Sequence, residues 1–99
     1  MYNILVITNA DNPSNSLVSD VSRTGLTFRL DHESALYELA DTAPFPDAVL
    51  LDMNYIPGNH VGSLIDQCHH LTLPSLGIIQ REDISEFDPA LNLDEFIVR

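Results

Sequence analysis

Residues 47–52 read Asp-Ala-Val-Leu-Leu-Asp, an unbroken apolar run between two acids, and the turn-rich residues 54–59 follow with Pro57-Gly58 among them. A short run of this kind is typical of a strand that is buried on both faces of a parallel sheet. The turn formers then end the strand. The sequence therefore predicts a central strand with Asp52 at its carboxyl end.

Four further segments have strand patterns. Residues 4–7, Ile-Leu-Val-Ile, form a β-branched-rich apolar run, and residues 74–79 contain another buried run. Residues 26–30 alternate between apolar and polar side chains, as a strand with two different faces does. Residues 95–98 give the last predicted strand.

The first helix is predicted over residues 13–23, where apolar side chains recur at helical spacing. Asp11 or Asn12 is expected to cap it, because short polar side chains accept hydrogen bonds from the first turn. Pro13 suits the first turn, where no N–H is needed, and Gly25 is expected to end the helix.

Two more helices are predicted from apolar stripes. Asp31 is expected to cap the second, which Pro44 and Pro46 end. The stripe of the second helix is Leu36, Leu39 and Ala40, and that of the third is Val61, Leu64, Ile65 and Cys68.

Strands and helices alternate with short links along the chain. Right-handed crossovers would build one mostly parallel, five-stranded sheet with helices on both faces, a doubly wound α/β domain. The alternation fails over residues 80–94, so the fourth crossover is expected to be short. With 99 residues and no linker or repeat, residues 1–99 are predicted to form one domain.

The charge balance excludes several classes of partner. The chain has fifteen acidic residues, four arginines and no lysine, which gives a formal net charge of −11. Nucleic acids and anionic membranes would repel such a chain. The balance favours cationic partners: a divalent metal or a basic patch on another protein.

Cysteine usage and the amino terminus bear on the compartment. Cys68 has no partner for an internal disulfide, and residues 1–3 lack the basic region of a secretory signal. No apolar run approaches the length of a membrane span. The expected location is the cytoplasm.

A zinc site is disfavoured, because Cys68, His69 and His70 are adjacent on a helix and cannot converge on one ion.

Ligands of open α/β sheets lie at the carboxyl ends of the strands. This rule groups residues 8–11, residues 52–54, Gln80 and Arg99 at one rim. A carboxylate that ends an apolar strand, as Asp52 does, needs a cation, a hydrogen-bond donor or water. On these residues alone, the simpler role for Asp52 is to cap the turn that follows it.

Several segments together resemble the receiver domains of bacterial two-component response regulators. Residues 46–53, followed closely by Pro57-Gly58, resemble the phosphoacceptor strand and loop of that family. The resemblance covers the whole chain and also rests on residues 4–7, 24–28, 33–36 and 94–98. It implies a flavodoxin-like fold and a role in signal transduction.

The resemblance implies that Asp52 accepts a phosphoryl group from a histidine kinase, with Mg²⁺ bound beside it. Family members carry two acids just after the first strand, where this chain has Thr8 and Asn9. Asp11, Asp52 and Asn54 are then the candidate metal ligands. Mg²⁺ prefers carboxylate oxygens, so a hydroxyl and an amide are expected to weaken its binding.

Two more positions depart from the family pattern. Gln80 stands where the family has a phosphoryl-sensing Thr or Ser, and Arg99 stands where it has a lysine. Arginine keeps the positive charge but presents a planar fork. Together with a longer loop after Asp52, these changes indicate an atypical, degenerate receiver.

Receivers of this family end with a fifth helix, and the sequence reaches Arg99 before one. A sheet face without that helix would expose apolar surface, so either this chain is an N-terminal fragment or another chain covers the face. We expect the fragment, followed by an output domain such as a DNA-binding one.

The expected function is that of a non-enzymatic signal-input module, which acts with a histidine kinase or another signalling protein and as a homodimer. One alternative is a pseudo-receiver that never takes phosphate and serves protein interaction or dimerisation. The other is a small hydrolase with Asp52 as its nucleophile, for which the sequence offers no general base.

Overall fold

A computed structural model describes residues 3–39, 45–80 and 95–98. The strands are β1 (Asn3–Ile7), β2 (Thr27–Asp31), β3 (Ala48–Asp52), β4 (Ser75–Ile79) and β5 (Glu95–Val98). The helices are α1 (Asn15–Ser22), α2 (Glu33–Glu38) and α3 (Gly58–His70). All neighbouring strands are parallel, in the order β2-β1-β3-β4-β5. The five predicted strands and the central position of β3 are confirmed.

Helices cover both faces of the central part of the sheet. Leu5 and Ile7 pack with the buried residues of α2 and α3, whereas Val6 packs with Leu17 and Val21 of α1. Successive side chains of a strand point to opposite faces, which is why an unbroken apolar run fits this position. The predicted doubly wound, flavodoxin-like fold is confirmed.

The predicted cap of the first helix is wrong. The N-cap is Ser14, whose Oγ accepts the backbone N–H three residues further on at 3.5 Å. Neither Asp11 nor Asn12 has this role. Residues 9–12 instead form a turn, in which the N–H of Asn12 donates to the carbonyl of Asn9 at 3.2 Å. The helix therefore begins later than predicted, and Pro13 precedes the cap instead of lying in the first turn.

The predicted cap of the second helix is also wrong. Asp31 is the last residue of β2, and the N-cap of α2 is His32, without a side-chain cap bond. The carbonyl of Asp31 accepts the N–H of Thr8 at 3.0 Å, which keeps Asp31 in the sheet. The predicted burial of Leu36 and Leu39 is confirmed. Ala40 and Pro44 lie outside the described residues.

The stripe of α3, with Leu64 at its centre, is buried as predicted. On the opposite face of the sheet from α3, an apolar groove lies beside α1. Its lining includes Leu50, Leu76, Ile78 and Ile97. The predicted short crossover falls within residues 81–94, outside the described part of the chain. No helix within the described residues is long and apolar enough to cross a membrane.

Two glycine-to-alanine substitutions are expected to change stability in opposite directions. Gly25 follows α1 with φ +74, in the left-handed region, whereas Gly62 lies inside α3 on its exposed side. A Cβ at either position meets no atom within 4 Å, so backbone conformation decides the effect. Gly25→Ala should lower the free energy of unfolding by about 1 kcal/mol, and Gly62→Ala should raise it by about 0.5–1 kcal/mol.

Urea unfolding of both variants beside the parent chain measures these changes from the midpoints. Equal signs for the two substitutions would contradict the backbone explanation.

Candidate functional site

The register of β1 and β3 places two polar residues side by side at the carboxyl edge of the sheet. Ile7 pairs with Leu51, and the next residues along the two strands are Thr8 and Asp52. Both are buried, with 1% of Thr8 and 7% of Asp52 exposed. Asp52 thus lies at the rim that the sequence predicts, with Thr8 as its neighbour.

Both carboxylate oxygens of Asp52 accept hydrogen bonds. The Thr8 hydroxyl donates to Oδ2 at 2.7 Å, and the backbone N–H of Asn54 donates to Oδ1 at 3.1 Å. The first distance is typical of a hydroxyl that donates to a carboxylate, and the second closes a local turn. Asp52 therefore caps the turn after β3, the role that its residue type alone suggests, and it also bonds across the sheet.

The backbone of the same loop is tied to the sheet. The carbonyl of Asp52 accepts the N–H groups of Tyr55 and Ile56 at 3.1 and 3.0 Å. The N–H of Met53 donates to the carbonyl of Ile78 on β4 at 2.9 Å. These bonds fix the loop behind Asp52 and hold its side chain at the rim.

Asp11 has a partner that the sequence did not indicate. Its side chain is 89% exposed, and its Oδ2 lies 3.3 Å from Nε2 of His32. A second histidine pair joins α3 to α2, with Nδ1 of His60 at 3.0 Å from Oε1 of Glu33. Contacts between such loops and helix ends depend on how neighbouring strands are placed. No motif in the sequence points to either pair.

The two predicted phosphoryl-sensing residues differ in what the structure says of them. Gln80 follows β4 directly and is half-buried, at the same edge of the sheet as Asp52. Arg99 lies outside the described residues. The structure therefore brings Thr8, Asp52 and Asn54 into contact, and the roles of Gln80 and Arg99 stay predictions.

The side chains at this rim do not fit a Mg²⁺ site built from several carboxylate ligands. Within the described ranges, no group of three or more His, Cys, Asp and Glu side chains is placed to hold a metal ion. Oδ2 of Asp52 already accepts the Thr8 hydroxyl, and Asp11 contacts His32. Mg²⁺ is usually bound through one or two carboxylates with several waters, and among Thr8, Asp52 and Asn54 only Asp52 has a carboxylate.

Comparison with known proteins supports the fold. No protein-family model matches the chain, and no curated protein matches it. Among solved structures, the crystal structure of FixJ-N, a receiver domain, matches with a TM-score of 0.67 and 15% identity. The match covers 100% of this chain and 82% of that chain. The chain therefore has the flavodoxin-like receiver fold.

Proposed function

We propose that this chain is the signal-input domain of a two-component response regulator, and that Asp52 is its phosphoryl acceptor. The observation that carries the proposal is the position of Asp52: a carboxylate held by two donors at the carboxyl end of the central strand of a receiver fold. Ligands of open parallel sheets bind at this edge.

The proposed reaction is the transfer of one phosphoryl group from a phosphohistidine. A carboxylate oxygen of Asp52 forms the new O–P bond as the N–P bond breaks. The histidine nitrogen keeps the electron pair and takes a proton from solvent. The domain is otherwise not an enzyme; it passes the change to an output domain that can be a DNA-binding one.

The partners follow from the same proposal. The phosphoryl donor is a histidine kinase or another signalling protein, and the net charge of −11 on this chain favours a partner with basic residues on its docking surface. The charge disfavours direct contact of this domain with nucleic acid.

Intact-mass spectrometry after incubation with acetyl phosphate tests the acceptor. We expect an adduct of about 80 Da on the parent chain that is absent from Asp52→Asn. Asp47→Asn is the matched control, because Asp47 flanks the opposite end of the same strand and is exposed. It should keep the adduct. The reaction is run both with Mg²⁺ and with EDTA. A folded parent chain without adduct in either buffer would overturn the proposal.

One observation favours a second candidate, a phosphate-independent interaction module. Both oxygens of Asp52 already have donors, and one of these donors is a threonine where the resembled family has an acid. Such a domain would keep its oligomeric state and its partner binding in Asp52→Asn. Light scattering with and without acetyl phosphate separates the candidates, because this one predicts no change.

A further inference from the structure

Thr8 is buried, and its backbone is hydrogen-bonded to β2. Thr8 is 1% exposed, and its N–H donates to the carbonyl of Asp31 at 3.0 Å. Burial leaves this β-branched side chain few alternative rotamers, and its hydroxyl donates to Oδ2 of Asp52 at 2.7 Å. The hydroxyl is therefore an ordered part of the site around Asp52.

Neutral donors surround the buried carboxylate. Within the described residues, the side chain of Asp52 accepts from the Thr8 hydroxyl and from the backbone N–H of Asn54. No buried side-chain nitrogen or oxygen in the described residues lacks a hydrogen-bond partner. A buried carboxylate must be compensated by hydrogen bonds or by a cation, and here the hydrogen bonds are present.

We propose that Thr8 is the positioning residue for Asp52 and takes the place of a divalent cation at this site, so that Asp52 is held without metal. The hydroxyl at 2.7 Å occupies one of the positions from which a cation would bind Oδ2. The role of Asp52 as acceptor rests on the proposed function, whereas its independence of metal does not.

Thermal unfolding measures the metal dependence directly. The Tm of each variant is compared in millimolar MgCl₂ and in EDTA at equal ionic strength, because a chain of net charge −11 gains some stability from any cation. We expect the Mg²⁺-induced shift of the parent chain to equal that of Asp52→Asn. A larger shift in the parent chain would overturn the proposal.

A designed pair of acids provides the positive control. In Thr8→Asp/Asn9→Asp, two carboxylates join Asp52 and the hydroxyl is lost, so Mg²⁺ should raise the Tm by at least about 4 °C more than in the parent chain. Asn9→Asp alone keeps Thr8 and should show the smaller shift of the parent chain. Equal shifts in the single and double variants would overturn the role of the hydroxyl.

The labelling reaction gives a readout that a purely structural role would not change. The rate in EDTA should stay within about twofold of the rate in Mg²⁺; Thr8→Val should lose roughly tenfold and Thr8→Ser should recover it. An adduct that forms only with Mg²⁺ would overturn this inference and leave Asp52 as the acceptor. If no adduct forms in either buffer, the proposed function fails and the Tm comparison alone decides the role of Thr8.

Discussion

Leu64→Ala should lower the free energy of unfolding by about 3 kcal/mol, within the range of about 2–5 kcal/mol that is typical of buried leucines. Leu64 is 0% exposed and lies in the middle of α3, packed into the core between that helix and the sheet. The substitution removes apolar contacts and leaves a cavity that close-packed strands cannot fill. Domains of this size are stable by only about 5–15 kcal/mol, so this is a large share.

Urea unfolding with circular dichroism checks the value, and Ser63→Ala is its matched control. Ser63 is the preceding residue of the same helix and is exposed, so its replacement should change stability by less than about 0.5 kcal/mol. A similar loss in both variants would mean that burial of Leu64 is not the cause, since alanine has the higher helix propensity at both positions. A loss below about 1 kcal/mol at Leu64 would contradict the packing of α3 on the sheet.

The inner strands β1 and β3 could be predicted because they are buried on both faces. Such a position excludes polar side chains, so residues 4–7 and 48–51 show as unbroken apolar runs. Helix starts are harder to predict, because several polar residues in succession can serve as the cap. At α1 the choice between Asp11, Asn12 and Ser14 follows from the turn that residues 9–12 form before the helix, which residue types alone do not determine.

The candidate site could likewise be predicted only in part. Asp52 at the rim follows from the direction of one strand, and the sequence gives that directly. Its bond with Thr8 follows from the register of two strands that are more than forty residues apart, since Ile7 must lie opposite Leu51. A shift by one residue would turn Thr8 to the other face. From the sequence, Thr8 could therefore be identified only as a threonine where the resembled family has an acid, and not as a hydrogen-bond donor to Asp52.

The coupling between Thr8 and Asp52 should be about 2 kcal/mol. Thr8→Val keeps the side-chain volume but leaves a buried carboxylate oxygen without its donor, which costs about 1–3 kcal/mol. In an Asp52→Leu background no carboxylate is present, so the same substitution should cost close to nothing or stabilise slightly. The difference between the two costs is the coupling energy.

Urea unfolding of the four chains of this double-mutant cycle gives the coupling, provided that the m values agree. Thr8→Ser is the control, because it keeps the hydroxyl and loses a methyl group, so its cost should be the same in both backgrounds. If Thr8→Val costs the same in both backgrounds, the 2.7 Å hydrogen bond contributes nothing to stability. A coupling near 2 kcal/mol would instead show that the hydroxyl stabilises the buried side chain of Asp52, which is the property that a site without metal requires.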